Sequence, residues 1–145
     1  MCWRATYSVG GPAAEVVCKL IAPPHVLIVS PFLREELRRV LGYPRLQRLH
    51  GFDQQEIERV VAAIAALATS VEPQEQELAQ VVPDDPDDDH IVAAAVAGKA
   101  NVICTRNKHF YHQAVRAYCR ERAIEVLDDV SLLARLRDDE AEATL

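Results

Sequence analysis

A short aliphatic run, Val26-Leu27-Ile28-Val29, shows no polar alternation, which predicts a strand covered on both faces. It ends at Ser30-Pro31, a good N-cap and first-turn pair. The helix that begins there should bury Leu33, Leu37 and Val40/Leu41 and stop at Gly42. Tyr43-Pro44 predicts a turn. Asp53-Gln54-Gln55-Glu56 has the spacing of a capping box, and Ile57, Val60, Val61, Ile64 and Leu67 follow at helical period. Thr69 to Glu72, ahead of Pro73, is a candidate short strand. Asp85-Pro86-Asp87-Asp88 again reads as cap, proline and acidic first turn. It opens an alanine-rich helix through Ile91, Val92 and Ala95 that should stop near Gly98 and pack closely. Asn101 to Thr105 is the next strand, followed by a polar turn and a helix over residues 109–122. Ile124 to Leu127 supplies one more strand. Asp128 and Asp129 precede a last helix carrying Leu132, Leu133 and Leu136.

Strands that alternate with helices imply a parallel sheet, so the expected fold is α/β, a three-layer α/β/α sandwich around a central parallel sheet. With 145 residues the chain suits one sizeable core. Residues 1–137 are expected to form a single domain, and residues 138–145 an acidic, flexible tail. The longest apolar run, residues 60–68, falls far short of the roughly 20 residues a membrane-spanning helix needs. No basic and apolar leader opens the chain, so the expected location is the cytoplasm, with no membrane partner.

Composition narrows the chemistry. At 50% hydrophobic and 26% charged the chain is an ordinary globular one. Cys2, Cys18, Cys104 and Cys119 lack CxxC or Cys/His spacing, which points to free buried thiols. A net charge of −6 argues against a broad basic surface, but it is compatible with clustered carboxylates that a metal ion would offset locally.

Sites in parallel sheets lie beyond the carboxyl ends of the strands, and three segments fall there: Ser30 to Glu36, Pro83 to His90, and Thr105 to His109. The run Asp84-Asp85-Pro86-Asp87-Asp88-Asp89 holds more carboxylates than helix capping requires. A solvated acidic turn explains many such runs, and a divalent cation explains why like charges are tolerated together. Glu35-Glu36, flanked by Arg34, Arg38 and Arg39, taken alone reads as surface charge. The histidines lack zinc-ligand spacing and taken alone read as structural, although His109 and His112 share one helix side.

The order Gly10-Gly11-Pro12-Ala13, Val29-Ser30-Pro31 through Glu36-Leu37, Asp84 to Ile91, and Val102-Ile103-Cys104-Thr105 resembles the PIN-domain family, especially the toxin components of toxin–antitoxin systems. The resemblance implies a Mg²⁺- or Mn²⁺-dependent endoribonuclease acting on single-stranded RNA, with a cognate antitoxin and a homodimer as partners. By match to the motif, Glu36, Asp89 and the close alternative Asp88 would be the catalytic and metal-holding acids. Asn107 would occupy a further catalytic position, and Arg106, Lys108, Ser30, Thr105 and His109 would meet the nucleic acid. Hard cations want oxygen ligands, which is why the family gathers carboxylates at this end of its sheet.

Departures from the family pattern shape the expectation further. The family opens on an aliphatic strand ending in an Asp-Thr-Asn-like motif ahead of the Gly-Gly-Pro turn, and this chain begins after that point. The first catalytic aspartate and its central strand are therefore expected to be absent, leaving the sheet's centre short, strained or filled by Cys2 to Ser8. Where the family carries a Thr-Gly-Asp-x-Asp-like turn, this chain reads Thr105-Arg106-Asn107-Lys108-His109. Asn107 keeps an oxygen without the charge, and Arg106 with Lys108 places positive charge where a cation would sit. The acidic site is thus expected to be incomplete and RNA hydrolysis weak or lost. The alternatives are an active ribonuclease using residual acids or an upstream segment, and a non-catalytic module that binds RNA or a partner. A nucleotide-binding or receiver-like module is disfavoured by the lack of a Gly-rich phosphate loop.

Overall fold

The computed structural model describes residues 4–7, 16, 19–44, 47–48, 51–73 and 86–143. Its strands are Arg4–Tyr7 (β1), Val26–Val29 (β2), Thr69–Ser70 (β3), Val102–Cys104 (β4) and Glu125–Leu127 (β5). They form one parallel sheet in the order β3-β2-β1-β4-β5. The α helices are Pro31–Leu41 (α1), Gln54–Leu67 (α2), Pro86–Ala97 (α3), Gln113–Glu121 (α4) and Asp129–Ala143 (α5).

Register explains why the strands carry unbroken aliphatic runs. Ile28, Thr6, Ile103 and Val126 stand level across the sheet. Ile28, Ile103 and Val126 belong to one core cluster with Leu33 of α1, Ile91, Val92, Ala94 and Ala95 of α3, and Val115 and Cys119 of α4. The alternate residues Leu27, Val29, Val102 and Cys104 join Val16, Leu20, Leu132 and Leu136 in a second cluster. β2 and β4 therefore bury both of their faces, as the absence of alternation in their runs predicts. The alanines of α3 let it approach closely. At its end Gly98 lies so near β2 that a Cβ there would sit 2.7 Å from two carbons of Ile28.

Local signals in the sequence match the elements they announce. Ser30 caps α1, its hydroxyl accepting from Leu33 N at 3.2 Å, and Gly42 ends that helix. Asp53 and Glu56 complete both halves of the capping box that opens α2, at 2.8 and 3.4 Å. Burial in α1 is narrower than expected: Leu33 is buried, whereas Leu37, Val40 and Leu41 are only partly so, because α1 lies at the rim with α2 packed beside it.

Three expectations are corrected. The central strand is present: Arg4–Tyr7 occupies the middle of the sheet between β2 and β4, within the very segment available for that place. The helix expected over residues 109–122 is two elements, a 3-10 turn at Lys108–Tyr111 and then α4, with His112 extended between them. The break arises because Asn107 caps the first turn while Phe110, fully buried, pins it into the core. Helical structure also continues through residues 138–143, and Lys19 holds Glu140 at 2.6 Å. Among the described residues no helix is long and apolar enough to cross a membrane.

Candidate functional site

The carboxyl ends of β2, β1, β4 and β5 come level at Val29, Tyr7, Cys104 and Leu127. The chain continues from three of these strands into Ser30, Thr105 and Asp128, so those residues share one end of the sheet. Ser30 is 2% exposed and its hydroxyl is occupied as the α1 cap. Ser8 follows β1, and no carboxylate precedes Glu15 in the chain.

The first turn of α3 brings Asp88 and Asp89 to this end, both buried, at 6% and 8% exposure. The positive end of the α3 macrodipole favours carboxylates there. Asp88 is tied across the site: Asn107 Nδ2 donates to its Oδ2 at 2.9 Å, and His109 Nδ1 lies 3.6 Å from the same oxygen. Asn107 is itself locked. Its Oδ1 accepts from His109 N at 3.0 Å, while its N–H donates to Thr105 Oγ1, also at 3.0 Å. Thr105 is 2% exposed and holds the turn from below, its carbonyl accepting from Tyr111 Oη at 2.8 Å.

The remaining sequence candidates are placed less centrally. Glu36 lies on α1 with both carboxylate oxygens taken by Arg39, at 2.6 and 2.7 Å. Arg106 donates Nε to Asp129 Oδ1 at 2.6 Å, and Lys108 is exposed. Asp84, Asp85 and Gly10 to Ala13 lie outside the described residues. The structure therefore brings together Asp88, Asn107, His109 and Thr105, whereas Glu36 is held on the helix surface.

Three participants escape a reading by sequence alone. Asp129 is 5% exposed and anchors Arg106, and the signal for it was its place just after β5, at the same sheet end as the other candidates. Tyr111 braces the turn through Thr105. Phe32 stacks on His90 with ring centroids 4.3 Å apart, joining the first turns of α1 and α3. Cys104 lies one residue before the turn, but burial, with Asp129 and Asp128 nearby, pushes its thiol up to about 12. It remains a protonated core residue rather than a thiolate.

The PIN-domain family model matches residues 5–109, from β1 through the turn that carries Asn107 and His109. The chain belongs to the PIN-domain family. No curated protein and no solved structure matches it. PIN domains are a nuclease-type family that usually uses Mg²⁺ or Mn²⁺, so the donor set of this one decides whether such an ion suits it. Among the described residues, no three His, Cys, Asp or Glu side chains are gathered to hold a metal. Asp88 presents to the site an oxygen already accepting from an amide, and Glu36 is engaged by a guanidinium. One oxygen of Asp88 and both oxygens of Glu36 are thus already engaged within the chain.

Proposed function

We propose that this PIN domain, a three-layer α/β/α sandwich, is an RNA-directed relative of the metal-dependent endoribonuclease toxins of toxin–antitoxin systems, with its acidic site incomplete and hydrolysis weak or lost. The observation that carries this reading is the 2.9 Å hydrogen bond from Asn107 Nδ2 to Asp88 Oδ2. A second carboxylate at 107 would repel Asp88 unless a cation stood between them. A neutral amide instead donates a hydrogen bond, satisfying that oxygen of Asp88 without any ion. What would be a shared pair of ligands is thereby a closed hydrogen-bonded contact.

Single-stranded RNA is the substrate class, with Arg106, Lys108 and His109 at the site end as its phosphate contacts. The reading extends to a cognate antitoxin and a second copy of the chain as partners. Asp88 and Asp89 with so few further oxygens bind Mg²⁺ weakly, because that ion keeps most of its waters when ligands are scarce.

A cleavage assay on single-stranded RNA, run with Mg²⁺ and with Mn²⁺ beside calorimetry of each ion, tests this. The expected result is no ion binding at micromolar concentration and at most faint Mn²⁺-dependent cleavage. Robust cleavage abolished by Asp89→Asn would overturn the incomplete-site reading and establish a working ribonuclease. Absence of both cleavage and RNA binding would remove the RNA-directed reading altogether.

A further inference from the structure

The open edge of the sheet carries a groove that none of the candidate residues uses. A cavity of about 640 Å³ lies between α4 and β5, lined by Asn101, Arg116, Arg120, Val126 and Leu127 among others. It adjoins a second of about 260 Å³ that Lys99 and Arg122 help to line, with Asn101, Ala123 and Ile124 common to both. Both arginines of α4 belong there for a reason of helix geometry. Val115 and Cys119 face the core, and Arg116 and Arg120 each follow by one residue, a rotation of about 100°. Being four apart, they stand one above the other on the flank that overhangs β5.

The groove starts at the candidate site. The Arg116 guanidinium sits over the Tyr111 ring, 4.9 Å from its centroid, and Tyr111 in turn donates to the Thr105 carbonyl beneath Asn107. From there the groove follows β5 toward Asn101 at the opposite end of the strands.

Its charge is unlike that of the rest of the chain. Among the described residues, Arg116, Arg120 and Lys99 make no ion pair, in a protein of net charge −6. The acid of β5, Glu125, which also lines the groove, is held by Arg135 at 2.6 and 2.9 Å, and that contact lowers its pKa. Three cations are therefore arrayed along a concave surface whose lining acid, Glu125, is paired with Arg135 rather than with any of them.

An added protein strand is the less fitting occupant. Glu125 N donates to Asn101 O and Leu127 O accepts from Thr105 N, so residues 125 and 127 spend their main-chain groups on β4. Only Val126 turns its N–H and C=O outward. Strand addition takes its affinity from successive main-chain bonds, and one residue offers too few. Cations spaced along a groove beside an aromatic ring suit the sugar-phosphate backbone of a single strand.

We propose that single-stranded RNA runs from the candidate site along the α4/β5 groove, its phosphates held by Arg116 and Arg120 and then by Lys99. This rests on the reading of the site as RNA-directed. It lies mostly beyond the matched span, which ends at His109.

The test is equilibrium binding of a fluorescein-labelled oligouridylate to the full chain, by anisotropy in EDTA over a range of salt. Arg116→Ala/Arg120→Ala should bind more weakly and lower the log–log salt slope by about 1.4, since each phosphate contact on a single strand contributes about 0.7. Arg116→Lys/Arg120→Lys should restore most of the slope, and Arg116→Gln/Arg120→Gln should repeat the loss if the alanine pair folds poorly by circular dichroism. If wild type binds while the alanine and glutamine pairs match it in affinity and slope, the groove proposal fails and the RNA-directed site stands. A wild type that binds no oligouridylate at any salt overturns both. Arginine-dependent capture of a polyglutamate peptide in place of RNA would overturn the proposal in favour of an acidic protein partner.

Discussion

Two charged regions face each other across Tyr111, and they differ in how much of their charge is already spent. At the carboxyl end of the sheet, Asp88 is bound by Asn107, Glu36 by Arg39, and Asp129 by Arg106. Along the β5 edge, Arg116, Arg120 and Lys99 make no ion pair among the described residues, and the acid beside them, Glu125, is held by Arg135. Internally satisfied polar groups stabilise the fold and give little to a ligand, because binding must first break what they have made. Unsatisfied cations in a concave surface add little to stability and leave their interaction free for a partner. The contrast predicts that substitutions at the carboxyl end show up mainly in stability, and substitutions in the groove mainly in binding.

The largest effect should come from beneath the turn. Phe110 is fully buried, and its ring seats the segment that presents Asn107 and His109. Phe110→Ala should cost about 3–5 kcal/mol in urea unfolding, as large-to-small substitutions of buried aromatics do. Arg116→Ala/Arg120→Ala should stay within about 0.5 kcal/mol of wild type in the same assay, as exposed substitutions usually do. If the two variants lost similar amounts, the division between a structural and a binding region would be wrong.

A smaller effect sharpens the account of the acidic end. Asn107→Asp replaces a donated hydrogen bond with a second carboxylate facing Asp88, and should cost about 1–3 kcal/mol at neutral pH without metal. Millimolar Mn²⁺ should return much of that stability in the variant and little in wild type, read as a thermal shift. Equal response of the two proteins to Mn²⁺ would show that Asn107 is not what keeps a cation out.

Much of this arrangement was legible before any coordinates, and the missing parts have physical causes. Ser30-Pro31 and Asp53 through Glu56 announced their helices because capping is a contact between near neighbours. Asp88 and Asn107 could be singled out by motif, since both follow the carboxyl-end rule for parallel sheets. The bond between them spans 19 residues, and no local pattern encodes it. The central strand, Arg4 to Tyr7, falls within the segment Cys2 to Ser8 that was one of the expected fillings of the sheet's centre; it lacks both an aliphatic run and the expected terminal acid, and pairing on both sides fixes its place. The helix over residues 109–122 was drawn too long because periodicity registers apolar spacing but not a 3-10 turn whose single buried residue is Phe110. The basic groove went unseen because Arg116, Arg120 and Lys99 meet only when α4 folds over the edge of β5.

The smallest effect lies on the border of the two regions, where Asp128 follows β5 and opens α5. Its Oδ1 accepts from Ser131 N at 2.7 Å, and that contact, the first cause, holds its carboxyl below the ordinary aspartate range, with Arg106 adding attraction. Asp128→Ala should therefore cost about 1 kcal/mol at pH 7, the usual size of a lost helix cap, and less in high salt. Because the folded-state pKa is depressed, the stabilisation is fully present above the unfolded-state value of 3.8 and is lost as pH falls through the folded-state value. The stabilities of wild type and variant should converge in strong acid, part as pH rises through the folded-state value, and keep a constant gap above pH 3.8. Asp128 lies beside Arg106, on the acidic side of Tyr111, so the variant's RNA affinity should change far less than that of the arginine pair. A gap in stability that stayed constant down through acid would mean that Asp128 acts by packing rather than as a charged cap.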